Sequence, residues 1–347
     1  MTTESAVSVE VEGLSKLYGD FKALDNVSFK VRAGEIVGFL GPNGAGKTTT
    51  MKILTCFMGA SAGQAKVAGY DVASQSLEVR KRVGYLPETV PLYKDMIVYD
   101  YLKFIAEMRQ VPGGQIHQAI KDTAKVCGLS HMINRHIREL SKGYKQRVGL
   151  AQALIHKPEV VILDEPTSGL DPNQLVEIRD LIKEIGKEKT IIFSTHILQE
   201  VAAVCDRILI VDKGKLIADG TVEDLERRVR REEHYIVTLS SQGEQQPEAD
   251  KIAGMLSNTG DVHQAEVLQD RGQEKTFLVT TPRGKDPRYD IFEMAAREGL
   301  VMVELQRDRL TLEDIFRSLT GDPEQVNAEK RRKILAQRGR AEDAKEA

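Results

Sequence analysis

The stretch Gly41-Pro42-Asn43-Gly44-Ala45-Gly46-Lys47-Thr48 reads G-x-x-x-x-G-K-T, and Thr49 follows it. Ahead of it lies the apolar run Ile36-Val37-Gly38-Phe39-Leu40, which fits a buried strand. Behind it, Thr49 to Cys56 can form a helix. A strand feeding a glycine-rich loop that opens a helix is the context a phosphate-binding loop needs. The glycines let the backbone curl so that its N–H groups point at phosphate oxygens. The helix adds the positive end of its dipole. Lys47 can then reach β- and γ-phosphates, and the Thr48 hydroxyl can ligate Mg²⁺.

Outward from this loop the chain reads as an α/β protein. Val7 to Glu12 and Ala23 to Val31 alternate apolar and polar, as half-buried strands do. Between them, Leu14 to Asp20 reads as a turn region that contains Tyr18. These strands form an antiparallel β subdomain beside the nucleotide-binding core. Ala65 to Val72 reads as a short strand and turn, Leu77 to Val83 as a helix, and Gly84-Tyr85-Leu86 as a strand ending at Pro87-Glu88. From Tyr93 to Leu140 the apolar spacing is helical, with Pro112-Gly113-Gly114 dividing two helices of an insert. Most of Tyr93, Met96, Tyr99, Tyr101 and Phe104 are expected in its core, with the remainder forming an exposed docking patch. Helices at Gln146–His156, Gln174–Ile185 and Ile197–Cys205 then alternate with strands at Val160–Leu163, Thr190–Phe193 and Ile208–Val211. Leu216 to Asp219 adds a last short strand. Short apolar strands between helices indicate a largely parallel sheet covered on both faces.

Near Glu223 to Glu233 the chain is densely charged and reads as a helix leading into a linker. Beyond it come a strand (Tyr235–Leu239), a helix (Ala249–Leu256), strands (Val262–Leu268 and Thr276–Thr280), a helix (Tyr289–Arg297), a strand (Val301–Leu305) and a helix (Leu312–Leu319). The βαββαβ order suggests a small ferredoxin-like domain. The expected organisation is a nucleotide-binding domain over 7–230, an α+β accessory domain over 234–322 and a charged, disordered tail over 323–347.

Whole-chain properties narrow the function. A net charge of −3 over 347 residues argues against nucleic acid as the main partner. The three cysteines (Cys56, Cys127 and Cys205) have no metal-ligand spacing and fit a reducing compartment. No apolar run approaches the about 20 residues of a membrane span, and the polar start has no signal-peptide core. A cytoplasmic protein is expected, with any membrane part supplied by other subunits.

Asp164-Glu165 ends the apolar strand Val160–Leu163, at the edge where open α/β sheets bind ligands. Asp164 is placed to hold Mg²⁺ through water, and Glu165 to orient and deprotonate a water aimed at a γ-phosphate. Leu140-Ser141-Lys142-Gly143-Tyr144-Lys145-Gln146-Arg147 precedes that strand, Ser168-Gly169-Leu170-Asp171 follows it, and His196 follows the next strand. With these motifs in this order, residues 7 to 230 resemble the ATP-binding-cassette (ABC) ATPases.

The resemblance implies an ATP- and Mg²⁺-dependent ATPase. Residues Gly41 to Thr48 would be the Walker A loop, Val160 to Asp164 the Walker B strand, and Glu165 the catalytic base. Residues Leu140 to Arg147 would be the signature motif, with Ser141 and Gly143 touching ATP held by a partner cassette. Ser168 to Asp171 would cross the dimer interface, His196 would touch the γ-phosphate, and Tyr18 would stack on adenine. Two positions depart from the family pattern: Lys142 and Tyr144 interrupt the usual LSGGQ, and Glu88 stands where a Mg²⁺-sensing glutamine is usual. A carboxylate at 88 can still ligate Mg²⁺.

Two functions follow from the resemblance. The first is the ATPase subunit of a membrane exporter, paired with a second cassette and with permease subunits. The runs Gly84-Tyr85-Leu86-Pro87-Glu88, His196-Ile197-Leu198-Gln199-Glu200-Val201 and Leu310-Thr311-Leu312-Glu313-Asp314-Ile315-Phe316 resemble the multidrug, polysaccharide and gliding-motility exporter branch. The second is a soluble cassette protein acting on ribosomes or DNA. Those types usually carry two cassettes or long coiled coils, and this chain has one phosphate loop and no sustained heptads.

Overall fold

The computed structural model describes residues 6–229, 232–241, 247–308 and 311–321. The charged tail over 323–347 lies outside them. The chain divides after Val222 into two compact units.

In the first unit, β1 (Val7–Tyr18) and β2 (Phe21–Arg32) form a hairpin that leads to β3 (Ile36–Leu40) and α1 (Lys47–Leu54). β4 (Ala62–Val67), β5 (Tyr70–Asp71), α2 (Ser76–Arg82) and β6 (Val83–Leu86) follow. The helical segment contains α3 (Val98–Met108), α4 (Ile116–Val126) and α5 (Lys142–Leu154). Alternation then resumes with β7 (Val160–Asp164), α6 (Pro172–Gly186), β8 (Thr190–Thr195), α7 (Leu198–Val204), β9 (Arg207–Asp212) and β10 (Lys215–Gly220).

Two sheets result. One has the order β2-β1-β4-β5 with antiparallel pairs, and the other has the order β10-β9-β3-β8-β7-β6. In the second sheet every neighbouring pair is parallel except β9 and β10. Every residue of β3, β7 and β8 is buried, which is why these strands read as continuous apolar runs and not as alternations. One apolar core joins the two sheets through residues such as Val11, Phe29, Phe39, Met51 and Leu209. The Phe29 and Phe39 rings meet at 5.6 Å. Gly38 lets α7 approach the central strand: a Cβ there would lie 2.6 Å from Val201 Cγ1 and 2.7 Å from Cys205 Sγ.

The second unit opens with α8 (Val222–Val229), whose first residue lies just before the division, and β11 (Glu232–Ser241). Next come α9 (Ala249–Ser257), β12 (Gln264–Arg271), β13 (Glu274–Pro282), α10 (Arg288–Arg297), β14 (Leu300–Asp308) and α11 (Leu312–Thr320). Its sheet is antiparallel in the order β12-β13-β11-β14. Tyr235, Val237, Phe277, Val279, Ile252 and Ile291 form a core between that sheet and α9 and α10. Thr311 and Asp314 close a reciprocal capping box on α11.

Three expectations are corrected. Leu14 to Tyr18 is strand, not turn: register shifts along β1 keep it paired with β2 while Leu14 stays 1% exposed. Of the five side chains expected largely in the helical core, only Tyr101 is buried, and Tyr93 is 57% exposed. The pattern marked the helix but not how much of its apolar face is left uncovered. Glu232 and Glu233 belong to β11, not to a linker. Glu233 is buried there because Arg307 Nη2 lies 2.6 Å from its carboxylate, a pairing that local composition does not reveal.

Candidate nucleotide-binding site

The loop 41–46 leaves the C-terminal end of β3, near the middle of the parallel sheet, and turns into α1. Gly46 takes φ 104°, a left-handed conformation that favours glycine. A Cβ on Gly46 would lie 2.7 Å from Ala23 O, and one on Gly41 only 2.3 Å from Val211 O. The loop is thus wedged between backbone segments that cannot give way. Pro42, Asn43 and Gly44 remain exposed, while Ala45 and Lys47 are buried. Helix α1 has no capping side chain and no acid in its first turn. Its first N–H groups are therefore available to an anion.

Lys47 is held back across its own loop. Its Nζ donates to Gly41 O at 2.7 Å and to Pro42 O at 3.2 Å. It also lies 3.3 Å from Glu165 Oε1, an ion-pair contact between buried side chains without hydrogen-bond alignment. Asp164 ends β7 and is 1% exposed. Its Oδ1 accepts hydrogen bonds from Thr48 Oγ1 at 3.1 Å and Ser194 Oγ at 2.6 Å, and its buried Oδ2 has no partner. Glu165 sits at φ 49°, an uncommon conformation for a non-glycine residue. Its N–H donates to Ser194, with Oγ and O both at 3.1 Å. The His196 Nδ1 lies 2.9 Å from Glu165 Oε2.

Lys47, Thr48, Glu165 and His196 line a cleft of about 520 Å³ with Thr49, Glu88, Ser168 and the loop's Pro42, Asn43 and Gly44, while Asp164 is buried and joins it through its hydrogen bond from Thr48. Tyr18 stands on its wall, 46% exposed, with its hydroxyl donating to Met58 Sδ at 3.2 Å. The Lys16 ammonium is 5.6 Å from the Tyr18 ring. Beneath the acids, burial raises the Tyr85 phenol well above its usual range, and the charges of Asp164 and Glu88 add to the effect. Tyr85 therefore stays a neutral hydroxyl beside these carboxylates.

The donor set fits a hard divalent cation. The orphaned Asp164 oxygen and the Thr48 hydroxyl bonded to its other oxygen are oxygen ligands of the kind Mg²⁺ takes, and Glu88 lines the cleft together with Thr48. Ser141 and Gly143 do not line it. Ser141 caps α5, accepting from Tyr144 N at 3.4 Å, and Gly143 packs so closely on Gln174 that a Cβ would come within 2.7 Å of that side chain. Sequence reasoning missed Phe21, a 63% exposed aromatic on the cleft wall, and Ser194, which ties Asp164 to the Glu165 backbone. A serine directly after the apolar run Ile191-Ile192-Phe193 was the available signal for Ser194.

A phosphate loop at the C-terminal edge of a largely parallel sheet, with an acidic pair at the same edge where β7 ends, defines a P-loop nucleotide-binding protein. The ABC transporter family model matches residues 24–168. The bacitracin transport ATP-binding protein BcrA of Bacillus licheniformis is 32% identical over 90% of this chain and 97% of its own length. An uncharacterized ABC transporter ATP-binding protein of Methanocaldococcus jannaschii is 43% identical, over 64% of this chain and 80% of its own. A solved ATP-binding subunit of an ABC transporter superposes with TM-score 0.58 at 31% identity, over 63% of this chain and 92% of that one. The chain belongs to the family of ABC transporter ATP-binding proteins. It is an ATP-binding subunit of that type, and the ribosome- or DNA-acting alternative is not favoured.

Proposed function

We propose that this chain hydrolyses ATP to ADP and phosphate to power a membrane exporter, working as a pair of cassettes docked on integral membrane permease subunits at the inner face of the cell membrane. The observation that carries the chemistry is the joining of Lys47, Glu165 and His196, through contacts of 3.3 and 2.9 Å, beside the phosphate loop. The exporter reading is supported by similarity to a bacitracin transport protein and a probable multidrug ABC transporter protein; among the described residues no helix is long and apolar enough to cross a membrane.

In this reading Gly41 to Thr49 cradle the phosphates, Lys47 turns its ammonium from Glu165 to the phosphate oxygens, and Tyr18 stacks on adenine. Thr48, Asp164 and Glu88 would hold Mg²⁺, which would supply positive charge to offset that of the phosphates. Glu165 accepts the proton of the attacking water. His196 holds Glu165 from the cleft side and faces the γ-phosphate. Ser141 and Gly143, away from this cleft, complete the site of a second cassette. Residues 7–230 act as the nucleotide-binding domain, and 234–322 as an accessory domain whose strand order β12-β13-β11-β14 supports a ferredoxin-like reading.

Glu165→Gln is expected to lower turnover by about 10²–10⁴-fold while sparing ATP affinity. Steady-state hydrolysis with a fluorescent-ATP binding titration reads both; unchanged turnover places the base elsewhere. Recovery of the tagged variant from detergent-solubilised membranes with ATP tests the transport half. A stoichiometric multi-span subunit supports it, and recovery of ribosomes alone removes it.

A further inference from the structure

Behind the cleft lies a buried carboxylate that the proposed chemistry does not use. Glu200, on α7, is 1% exposed. Its Oε2 accepts two hydrogen bonds, from Thr167 Oγ1 at 2.7 Å and from Thr195 Oγ1 at 2.8 Å. Its Oε1 is buried with no partner. An acid held in this way is costly to bury, so its retention asks for a reason.

The two hydroxyls belong to the two loops that carry the reacting groups. Thr167 is 3% exposed and lies two positions after Glu165, in a tight turn where Ser168 N donates to Glu165 O at 3.1 Å. Thr195 is fully buried and immediately precedes His196. Its hydroxyl also accepts from Ile197 N at 3.0 Å, so it fixes the backbone on both sides of the histidine. Glu200 N in turn donates to Ile197 O at 3.2 Å. Glu165 itself is held at φ 49°, and a conformation of that kind persists only where its surroundings over-determine it.

We infer that Glu200 is a positioning residue: its one carboxylate oxygen, bonded to Thr167 and Thr195, clamps together the Glu165 and His196 loops and sets the geometry of the acid–histidine contact. The inference rests on the proposed roles of Glu165 and His196, but it concerns neither phosphate nor metal contact. A clamp of this type acts on the aim of the base and not on nucleotide affinity. Loosening either tether leaves the phosphate loop intact and lets the base drift from its line of attack.

The test uses the full-length chain. Thr167→Val and Thr195→Val keep shape and remove one tether each, and Thr195→Ser returns the hydroxyl. Each valine variant is expected to lower kcat by about 10- to 100-fold with KM for ATP within about twofold, and Thr195→Ser to restore kcat to near the parent value. Combined with Glu165→Gln, neither valine should lower the residual rate further, because the group they aim is gone. Valine variants that keep kcat within about twofold of the parent, or that raise KM without lowering kcat, overturn the clamp. Glu165→Gln alone, assayed in parallel, separates the failures. If it is inactive while the valine variants are active, only the clamp falls; if it is fully active, the underlying reading of the site falls. Glu200→Leu removes both tethers at once and carries the same expectation as the valine variants; should it fail to fold, the threonine variants still decide.

Discussion

At the scale of the residue, the site holds buried charges in mutual restraint. Lys47 and Glu165 have side chains only 6% and 8% exposed and lie 3.3 Å apart. Removing one member of such a pair leaves the other uncompensated, at a cost of about 3–5 kcal/mol. Lys47→Ala is therefore expected to destabilise the nucleotide-free protein by roughly that amount, as well as to abolish tight ATP binding. Adding Glu165→Gln to it should recover much of the loss. Urea unfolding of the two single variants and the double variant measures this. Strictly additive effects would mean that the contact carries no coupling. In the proposed mechanism, nucleotide phosphates take over the role of Glu165 as the counter-charge of Lys47, leaving the carboxylate to act on water.

At the scale of the element, helix α7 and strand β3 are joined by the missing side chain of Gly38. An added methyl would meet Val201 Cγ1 at 2.6 Å and Cys205 Sγ at 2.7 Å, closer than real contacts allow. Gly38→Ala is expected to push α7 off the sheet and to cost about 1–3 kcal/mol of stability, read from the urea midpoint at unchanged slope. Because α7 carries Glu200 and follows His196, the same variant should lose activity ahead of ATP affinity. A variant as stable and active as the parent would show that the helix can slide without consequence. The elements themselves were largely legible: β3 and the strand–helix order of the second unit followed from apolar periodicity and glycine or proline breaks. The extension of β1 through Tyr18 was not, because bulges interrupt its alternation while pairing with β2 continues.

At the scale of the whole molecule, acid stability is governed in part by His156. Burial, with Arg109 and Lys189 adding like charge, brings its pKa down to about 4 from the usual 6.5. Its Nε2 lies 3.1 Å from Val83 O, and its Nδ1 is buried without a partner, so the ring is neutral with the proton on Nε2. Between pH 6.5 and about 4 the unfolded chain binds a proton that the native chain refuses. Stability therefore falls as pH drops through that window, by about 3 kcal/mol from this group, and the loss levels off below it. His156→Gln keeps a donor for Val83 O and should flatten that part of the curve. Identical pH dependence of unfolding in parent and variant between pH 6.5 and 4 would place the acid sensitivity elsewhere.

The phosphate loop, the acidic pair ending its apolar strand, the histidine after the next strand and most of the order of elements could be read from the chain alone. Each of these is written in contiguous residues, where turn chemistry and periodicity act locally. Which groups meet follows from how the strands pack in space. Thr48 reaches Asp164 across 116 positions and His196 reaches Glu165 across 31, because β3, β7 and β8 lie side by side in one sheet. The same holds for Glu200, which in sequence is one more charged residue on a short helix. Its role follows from burial and from two hydroxyls that the sheet brings to one oxygen atom. Periodicity records which face of an element is covered; it does not record what covers it, and the chemistry of a buried polar group is set by its neighbours.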